Sequence, residues 1–439
     1  MTQANSSAKA ATRRDFLAGA AATAAGATLA SLASNVHAAG SDVLRIGLIG
    51  CGNRGTGAAE QALTADKNTR LVAMGDMFED RLQASLNHLK SSKNVGSRVE
   101  VKPDSSFTGF DAYKQVIPLV DVVLLTTPPH FRPIHLKAAV EAGKHIFAEK
   151  PVAADAPGVR SVLASCEEAQ RKNLSVVAGL CWRYHHGMRD TMQRVHDGTI
   201  GDVTSLQCTY YTTTPWKRER EPGWTDMEWQ LRNWLFFTWL SGDFNVEQHV
   251  HSLDKMAWAM RDEYPVSATG CGGRQVRTQE VYGHIFDHHT VTYEYANGVK
   301  LFSACRQQPN CPGDVSDHIT GTKGVCHIET MPFEGKVVSL PGGKRLWTSK
   351  SVKRKNDNMY QNEHDELFVS IRSGKPINNG EWMAKSTLMA IMGRMATYTG
   401  QVITWDMAIN SKEDLTPPAY VFGSLPVAPV ARPGVTKFV

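Results

Sequence analysis

The stretch DVLRIGLIGCGNRGTGAAEQAL, residues 42–63, decides the fold of the first half of the chain. An apolar run over 43–49 predicts a short buried strand, and a helical stretch follows from Thr56. The loop between them has the spacing G-x-G-x-x-G, which permits a tight turn, close approach of a pyrophosphate and close helix–strand packing. We therefore predict a dinucleotide site at the start of the helix. Its candidate residues are Gly50, Gly52, Asn53, Arg54 and Gly55.

The next predicted strand, TRLVAMGD, ends on Asp76, at about the expected distance beyond the glycines. A carboxylate at this position accepts hydrogen bonds from a ribose diol and repels a 2′-phosphate, so Asp76 favours NAD over NADP. Two alternatives stay open. Asp76 could be a solvated loop acid, and the nearby Arg81 could tolerate a phosphate.

Two further strand–helix units follow, in DVVLLTTPPHFR (121–132) and RPIHLKAAVEAGKHIFAEKP (132–151). Strands that alternate with helices predict an α/β fold with a parallel, doubly wound sheet. Such sheets bind ligands at the carboxyl ends of their strands. Lys150 is then either a surface residue beside a turn or an ammonium held over nicotinamide and substrate. The candidate cofactor contacts at this edge are Thr127, Pro128, His130, Glu149 and Lys150.

The segment VEQHVHSLD, residues 246–254, places an acid and two histidines within five positions. Apolar residues recur at helical spacing through Met260, so we predict one helix, with Glu247 and His251 on the same face. An acid–base pair is the favoured interpretation; a metal clamp and simple packing are the alternatives. His249 points elsewhere on such a helix and reaches the pocket only near the helix N-terminus.

These marks together resemble the Gfo/Idh/MocA family, the group of glucose–fructose oxidoreductase and inositol dehydrogenase. The resemblance covers roughly residues 44–420 and depends on the glycine loop, TTPPH (126–130), EKP (149–151) and HSLD (251–254). It implies an N-terminal Rossmann domain that binds NAD, and a C-terminal α/β domain whose open, mostly antiparallel sheet faces the nicotinamide. It also implies that a lysine, an acid and a histidine surround the reacting carbon. These are Lys150, Glu247 and His251.

The chain departs from the family pattern at two positions, where Glu247 replaces the common aspartate and His249 replaces a glycine. The segment 213–240 is also unusual, because it holds five of the ten tryptophans. Indole rings stack on sugars, although core or interface packing explains them equally well. The predicted substrate contacts are Tyr184, His185, His249, Trp216 and Trp224, and we predict no metal site.

The chain of 439 residues has a net charge of +5 and no long basic run, which gives no reason to propose nucleic acid as a partner. Paired arginines before a weakly apolar, Ala-rich run predict a twin-arginine signal peptide over 1–39 and export to the periplasm. No membrane span is expected after cleavage. The other predicted parts are a Rossmann domain (42–180), a substrate and oligomerisation domain (181–420) and a tail (421–439).

An exported enzyme has no free NAD pool, so we expect it to carry its cofactor tightly bound and to restore it within each cycle. The predicted function is an NAD-dependent oxidoreductase of a sugar or glycoside. An NAD-dependent glycosidase that oxidises its sugar transiently and a non-catalytic sensor are the alternatives. We expect a homodimer or homotetramer. The eight cysteines should be mostly free and buried, with Cys305 and Cys311 as the one pair to check.

Overall fold

The computed structural model describes residues 43–330, 332–340, 342–352 and 357–439, so the predicted leader lies outside the described residues. Six strands form a parallel sheet in the order β3-β2-β1-β4-β5-β6. Their apolar runs are buried on both faces, as a parallel sheet covered by helices requires. The strands are β1 (Leu44–Ile49), β2 (Thr69–Asp76), β3 (Ser106–Thr108), β4 (Val122–Leu125), β5 (His145–Ala148) and β6 (Val176–Ala178).

Helices cover both faces of this first sheet, since alternate strand residues belong to two different apolar cores. Ile46 and Leu48 pack in one core, and Ile49 from the same strand packs in the other. The arrangement is the doubly wound sheet that the alternating pattern predicted. The helices of this half are α1 (Asn53–Ala65), α2 (Glu79–Ser91), α3 (Ala112–Val116), α4 (Arg132–Glu141) and α5 (Ala156–Arg171).

The second sheet has nine strands in the order β14-β13-β12-β11-β7-β10-β9-β8-β15. Only the β7–β10 pair is parallel among the described pairs. The predicted fold class, a Rossmann sheet followed by an α/β domain with a mostly antiparallel sheet, is therefore confirmed. The strands are β7 (Val203–Thr212), β8 (Ser267–Gly273), β9 (His288–Glu294), β10 (Lys300–Gln307), β11 (Asp314–Gly321), β12 (Gly324–Thr330), β13 (Phe333–Ser339), β14 (Arg345–Thr348) and β15 (Ile403–Thr404).

Two long helices of the second half also pack against the first sheet. The helix at Met359–Ser373 contacts α1, and the helix at Gly380–Thr399 contacts α5. The Val176 N–H of β6 donates to the Ile377 carbonyl at 2.7 Å. The two halves therefore share one interior across the predicted boundary near residue 180. The helices of this half are α6 (His186–His196), α7 (Asp226–Arg232), α8 (Thr238–Ser241), α9 (Phe244–Glu247), α10 (Val250–Ala259), α11 (Met359–Ser373), α12 (Gly380–Thr399) and α13 (Trp405–Asn410).

Two further findings concern membranes and thiols. Within the described ranges, no helix has the length and apolar character needed to cross a bilayer. All eight cysteines are free, and six of them are buried. Cys305 is buried in the interior whereas Cys311 is exposed, so these two thiols do not pair.

Candidate active site

The glycine turn after β1 has the geometry that its spacing predicts. Gly50 has a φ of +98°, and a methyl group added at Gly55 would lie 2.0 Å from the Gly50 carbonyl oxygen. A methyl group at Gly52 would meet no atom within 4 Å, so space is open beside the backbone there. No side chain caps the N-terminus of α1 and no acid lies in its first turn. The turn therefore fits a pyrophosphate, which the uncapped N–H groups and the helix dipole would bind.

Asp76 ends β2 and fixes the glycine turn to that strand. Its carboxylate accepts hydrogen bonds from the Cys51 N–H at 2.5 Å and from the Phe78 N–H at 2.9 Å. Burial raises the pKa of Asp76, although the two N–H donors oppose that shift. The carboxylate thus lies next to the turn, where it can accept the hydroxyls of a ribose. These features fit NAD, and Asp76, Gly52 and the start of α1 would hold it.

Glu149 links the glycine turn to Lys150. Its Oε1 pairs with Nε of Arg54 at 3.0 Å, and its Oε2 accepts from the Lys150 N–H at 3.1 Å. The Arg54 guanidinium also lies 5.0 Å from the ring centre of Tyr360. Asn53 begins α1 with an exposed side chain. The ion pair between the predicted cofactor residues Arg54 and Glu149 therefore connects the start of α1 to the end of β5.

The predicted contacts after β4 divide into two kinds. Thr127 shares a hydrogen bond with Nδ1 of His135 at 3.4 Å, and Pro128 precedes a short 3-10 turn. His130 is buried, and its Nε2 bonds to the Tyr420 hydroxyl at 2.8 Å. Burial lowers the pKa of His130 to about 4. The imidazole thus bonds to the C-terminal part of the chain, and a contact between His130 and the cofactor stays a prediction.

Lys150 and Glu247 form an ion pair between the two halves of the molecule. Nζ of Lys150 lies 3.0 Å from Oε1 of Glu247 and donates to the Glu247 carbonyl oxygen at 2.6 Å. Both side chains are about five-sixths buried, with 16% and 17% exposed. The carbonyl is available because α9 ends at this residue. The ammonium thus has two acceptors on one residue, which fix its position.

The predicted single helix through 246–260 is wrong, because the chain breaks into α9 and α10 at Gln248 and His249. Glu247 and His251 therefore do not share one continuous helix face, and the acid pairs with Lys150 instead. Asp243, buried and with a φ of +73°, caps α9. Its carboxylate also accepts from the Phe286 N–H at 3.0 Å and the Tyr398 hydroxyl at 2.5 Å. This buried network positions Glu247, and helical spacing alone could not reveal it.

His251 lies in the first turn of α10 with its Nδ1 buried and without a hydrogen-bond partner among the described residues. Burial lowers the pKa of His251 well below 6.5, and the charges of Lys150 and Lys255 add to the shift. The imidazole is therefore neutral at neutral pH and can accept a proton. Lys150 pairs with Glu247, and its charge acts on His251. That these three side chains surround a reacting carbon, as the resemblance implies, stays a prediction.

Three predicted substrate contacts are part of the framework. His249 is fully buried, and its Nε2 bonds to the Ser303 hydroxyl of β10 at 2.7 Å. The Tyr184 hydroxyl donates to Oδ1 of Asn379 at 2.6 Å inside a core. Nδ1 of His185 accepts from the N–H of Met188 and caps α6. Each side chain has a partner within the protein, and a substrate contact by any of the three stays a prediction.

The two predicted tryptophan contacts lie in the segment before α7. Trp216 is 50% exposed, and its ring centre lies 6.5 Å from that of Trp234. Trp224 has the Arg232 guanidinium 5.0 Å from its ring and packs in the same cluster as Phe78. Trp224 therefore lies beside the loop that follows β2. A sugar contact by either indole stays a prediction.

Several polar residues close to Glu149 and Glu247 were not among the predicted site residues. Arg132 is buried close to Glu149 and Glu247, donates to the Pro151 carbonyl, and has its pKa lowered to about 10 by burial. Burial, together with the charge of Glu247, raises the pKa of Tyr210 to about 12. Nε2 of Gln307 donates to Oε1 of Gln248 at 2.6 Å. Arg132 follows the motif TTPPH and Gln248 lies within VEQHVHSLD, whereas the positions of Tyr210 and Gln307 depend on the register of the second sheet. No three side chains of His, Cys, Asp or Glu in the described part of the chain converge as metal ligands.

Residues 44–177 match the sequence model of the Gfo/Idh/MocA group, an oxidoreductase family with an NAD-binding Rossmann fold. Among similar proteins, an inositol 2-dehydrogenase from Ralstonia nicotianae is 28% identical over 303 residues, which are 69% of this chain and 77% of that protein. The match supports the resemblance that the motifs predicted, over the residues that form the first sheet.

Solved structures resemble the chain over both sheets. An aldose–aldose oxidoreductase from Caulobacter crescentus has a TM-score of 0.63 and 18% identity over 82% of this chain and 99% of that chain. A levoglucosan dehydrogenase solved with NADH and levoglucosan has a TM-score of 0.64 and 15% identity over 83% and 99%. These structures agree with the fold, and the relatives together support the predicted enzyme class, an NAD-dependent sugar oxidoreductase.

Proposed function

We propose that the chain is an exported oxidoreductase that oxidises a hydroxyl group of a sugar or sugar derivative, with an NAD that stays bound and is restored within each cycle. The observation that carries the proposal is the Lys150–Glu247 pair. It lies at the carboxyl end of β5, in the same molecule as an open glycine turn and a neutral His251.

Each residue of the group has a separate task in this reaction. When bound, NAD supplies the hydride acceptor. Lys150 donates a hydrogen bond to the substrate oxygen and stabilises the negative charge that grows there. His251 takes the hydroxyl proton as the C=O bond forms. Glu247 holds the ammonium in place through its carboxylate and its carbonyl.

The relatives support a sugar as substrate. The names of the similar proteins include inositol, levoglucosan and aldoses, all of which present several neighbouring hydroxyl groups. An aldose–aldose oxidoreductase also supports a cycle in which one sugar reduces the cofactor and a second sugar oxidises it. Export through the predicted leader supports the same cycle, since an enzyme outside the cytoplasm cannot exchange its NAD with a cellular pool.

The proposal is tested by the position of deuterium in the products and by whether any sugar reduces the bound nicotinamide. The purified protein is mixed with sugars and aryl glycosides in D₂O, and the bound nicotinamide is followed by absorbance. Reduction by one sugar and reoxidation by another, with hydrogen carried from carbon to carbon, supports the proposal. Deuterium on the carbon next to the oxidised one would instead indicate the elimination route of the glycosidase alternative.

Matched lysine variants control this experiment. Lys150→Met should abolish nicotinamide reduction, whereas Lys137→Met, at an exposed pair with Glu141 on α4, should leave it unchanged. Absence of nicotinamide reduction by every sugar would favour a sensor, and a stoichiometric demand for added NAD would contradict internal recycling.

A further inference from the structure

Residues 411–439, the C-terminal arm, contain no helix or strand and cross the surface as extended chain. The end of the arm returns to its beginning, because the Val439 carbonyl accepts hydrogen bonds from the Ser411 hydroxyl at 2.6 Å and the Lys412 N–H at 3.1 Å. The Leu415 N–H donates to the carboxylate of Asp155 at 3.0 Å. The arm, which includes the predicted tail 421–439, is therefore fixed to the body of the molecule.

Two rings of the arm pack on loops that leave the first sheet. Phe422 stacks with Phe78 at a centroid distance of 6.1 Å and an interplanar angle of 10°. Tyr420 lies 5.5 Å from Phe110 and 6.0 Å from Phe131. These three phenylalanines follow β2, β3 and β4, whose carboxyl ends form one edge of the sheet. The arm thus covers the edge at which this fold binds its ligands.

The covered edge includes the predicted ribose site. Phe78 lies two residues beyond Asp76, and its N–H donates to the Asp76 carboxylate. The guanidinium of Arg232, on α7, lies 3.8 Å from the centre of the Phe78 ring and pairs with Asp80 at 3.1 Å. The loop that carries the ribose-binding carboxylate is therefore held both by the arm and by α7.

The arm and α7 are fastened to one another. The Leu425 N–H donates to Asp226 at 3.0 Å, and Nε2 of Gln230 donates to the Leu425 carbonyl at 2.6 Å. The Met227 N–H donates to the Gly423 carbonyl at 3.2 Å. Arm and α7 therefore form one continuous cover, and separating them requires breaking these three hydrogen bonds, one of which joins two backbone groups.

We propose that the C-terminal arm is part of the nucleotide site and retains the adenosine half of NAD, an inference that rests on the proposed function. Phe422 is 47% exposed despite its stacking, which leaves apolar surface that a flat purine can cover. In the strand order, the arm packs on the loops after β3, β2 and β4, whereas Lys150 follows β5, one strand beyond β4, and pairs with Glu247. The arm therefore acts on release of the nucleotide, and the Lys150–Glu247 pair lies outside those contacts.

The test compares release of NADH from the wild type with release from the double variant Tyr420→Ala, Phe422→Ala. Each full-length protein is loaded with NADH, mixed with excess NAD, and followed by the fluorescence of the reduced nicotinamide. Loss of two aromatic contacts predicts release about 10- to 100-fold faster. Val266→Ala is the matched control, because this apolar side chain precedes β8, outside the arm, and is 45% exposed. Its release rate should equal that of the wild type.

Thermal unfolding of each protein reports whether it is folded. If the double variant does not fold, the release rate of the single variant Phe422→Ala, at a half-exposed position, is compared with that of the wild type. Equal or slower release from a folded variant overturns the inference, and slower release would show that the arm obstructs the site. Failure of the wild type to bind NADH at all overturns the proposed function together with the inference. NADH binding with equal release rates overturns the inference alone.

Discussion

The substitution Glu247→Gln distinguishes two roles for this acid. Either its carboxylate positions the Lys150 ammonium, or it accepts the substrate proton itself. The substitution removes the charged acceptor at 3.0 Å from Nζ but keeps the carbonyl acceptor at 2.6 Å. One charge-assisted hydrogen bond contributes about 1.5–3 kcal/mol. If about 1.5 kcal/mol of this free energy holds the ammonium in its reactive position, kcat/KM should fall about 10-fold. If the full 3 kcal/mol or so does, kcat/KM should fall about 150-fold. Lys150→Met removes the cation and should cost about 100- to 1,000-fold or more.

The assay measures kcat/KM with the sugar that reduces the bound nicotinamide fastest, and the nucleotide content of each variant is the control. Glu141→Gln, on the exposed ion pair of α4, should have no effect. A loss in Glu247→Gln as large as that in Lys150→Met would refute the reasoning, because it would make the carboxylate itself the essential group. Full activity in Glu247→Gln would also refute it.

Three further predictions concern the base, the glycine turn and the ribose site. Since the pKa of His251 is held well below 6.5, the base stays unprotonated at neutral pH and kcat/KM should fall only in acid below 6.5; an acid limb above that value contradicts the role. Gly55→Ala places a methyl 2.0 Å from the Gly50 carbonyl and should lower the free energy of unfolding by about 1–3 kcal/mol, whereas Gly57→Ala, with its nearest neighbour at 3.9 Å, should not. Asp76→Asn should reduce the preference for NAD over NADP about 10-fold in fluorescence titrations, and an unchanged ratio would remove Asp76 as the selector.

The first sheet could be predicted from sequence because its determinants are local. The apolar run of β1, the three glycines and the Gly143 stop after α4 each act within a few residues, and buried parallel strands need continuous apolar runs. The cover supplied by α11 and α12 could not be predicted in this way. Those helices lie roughly two to three hundred residues further along the chain, and their packing on α1 and α5 depends on the path of the second sheet.

Motifs predicted Lys150, Glu247 and His251 as site residues, but they did not predict the ion pair between Lys150 and Glu247. Helical periodicity predicted one helix and an acid–histidine pair, whereas Asp243 at positive φ caps a separate short helix and turns Glu247 towards the lysine. The same break places His249 against Ser303 of β10. A single-residue conformation decides both outcomes, and a hydrophobic pattern contains no information about it.

Identification of the nucleotide that the purified protein releases on denaturation tests the central claim most directly. The open glycine turn, the Asp76 carboxylate at the end of β2 and the arm across the same edge predict about one NAD or NADH per chain, with no NADP. The nucleotide should survive extensive dialysis of the folded protein. A protein that releases no nucleotide, or releases NADP instead, would contradict the account.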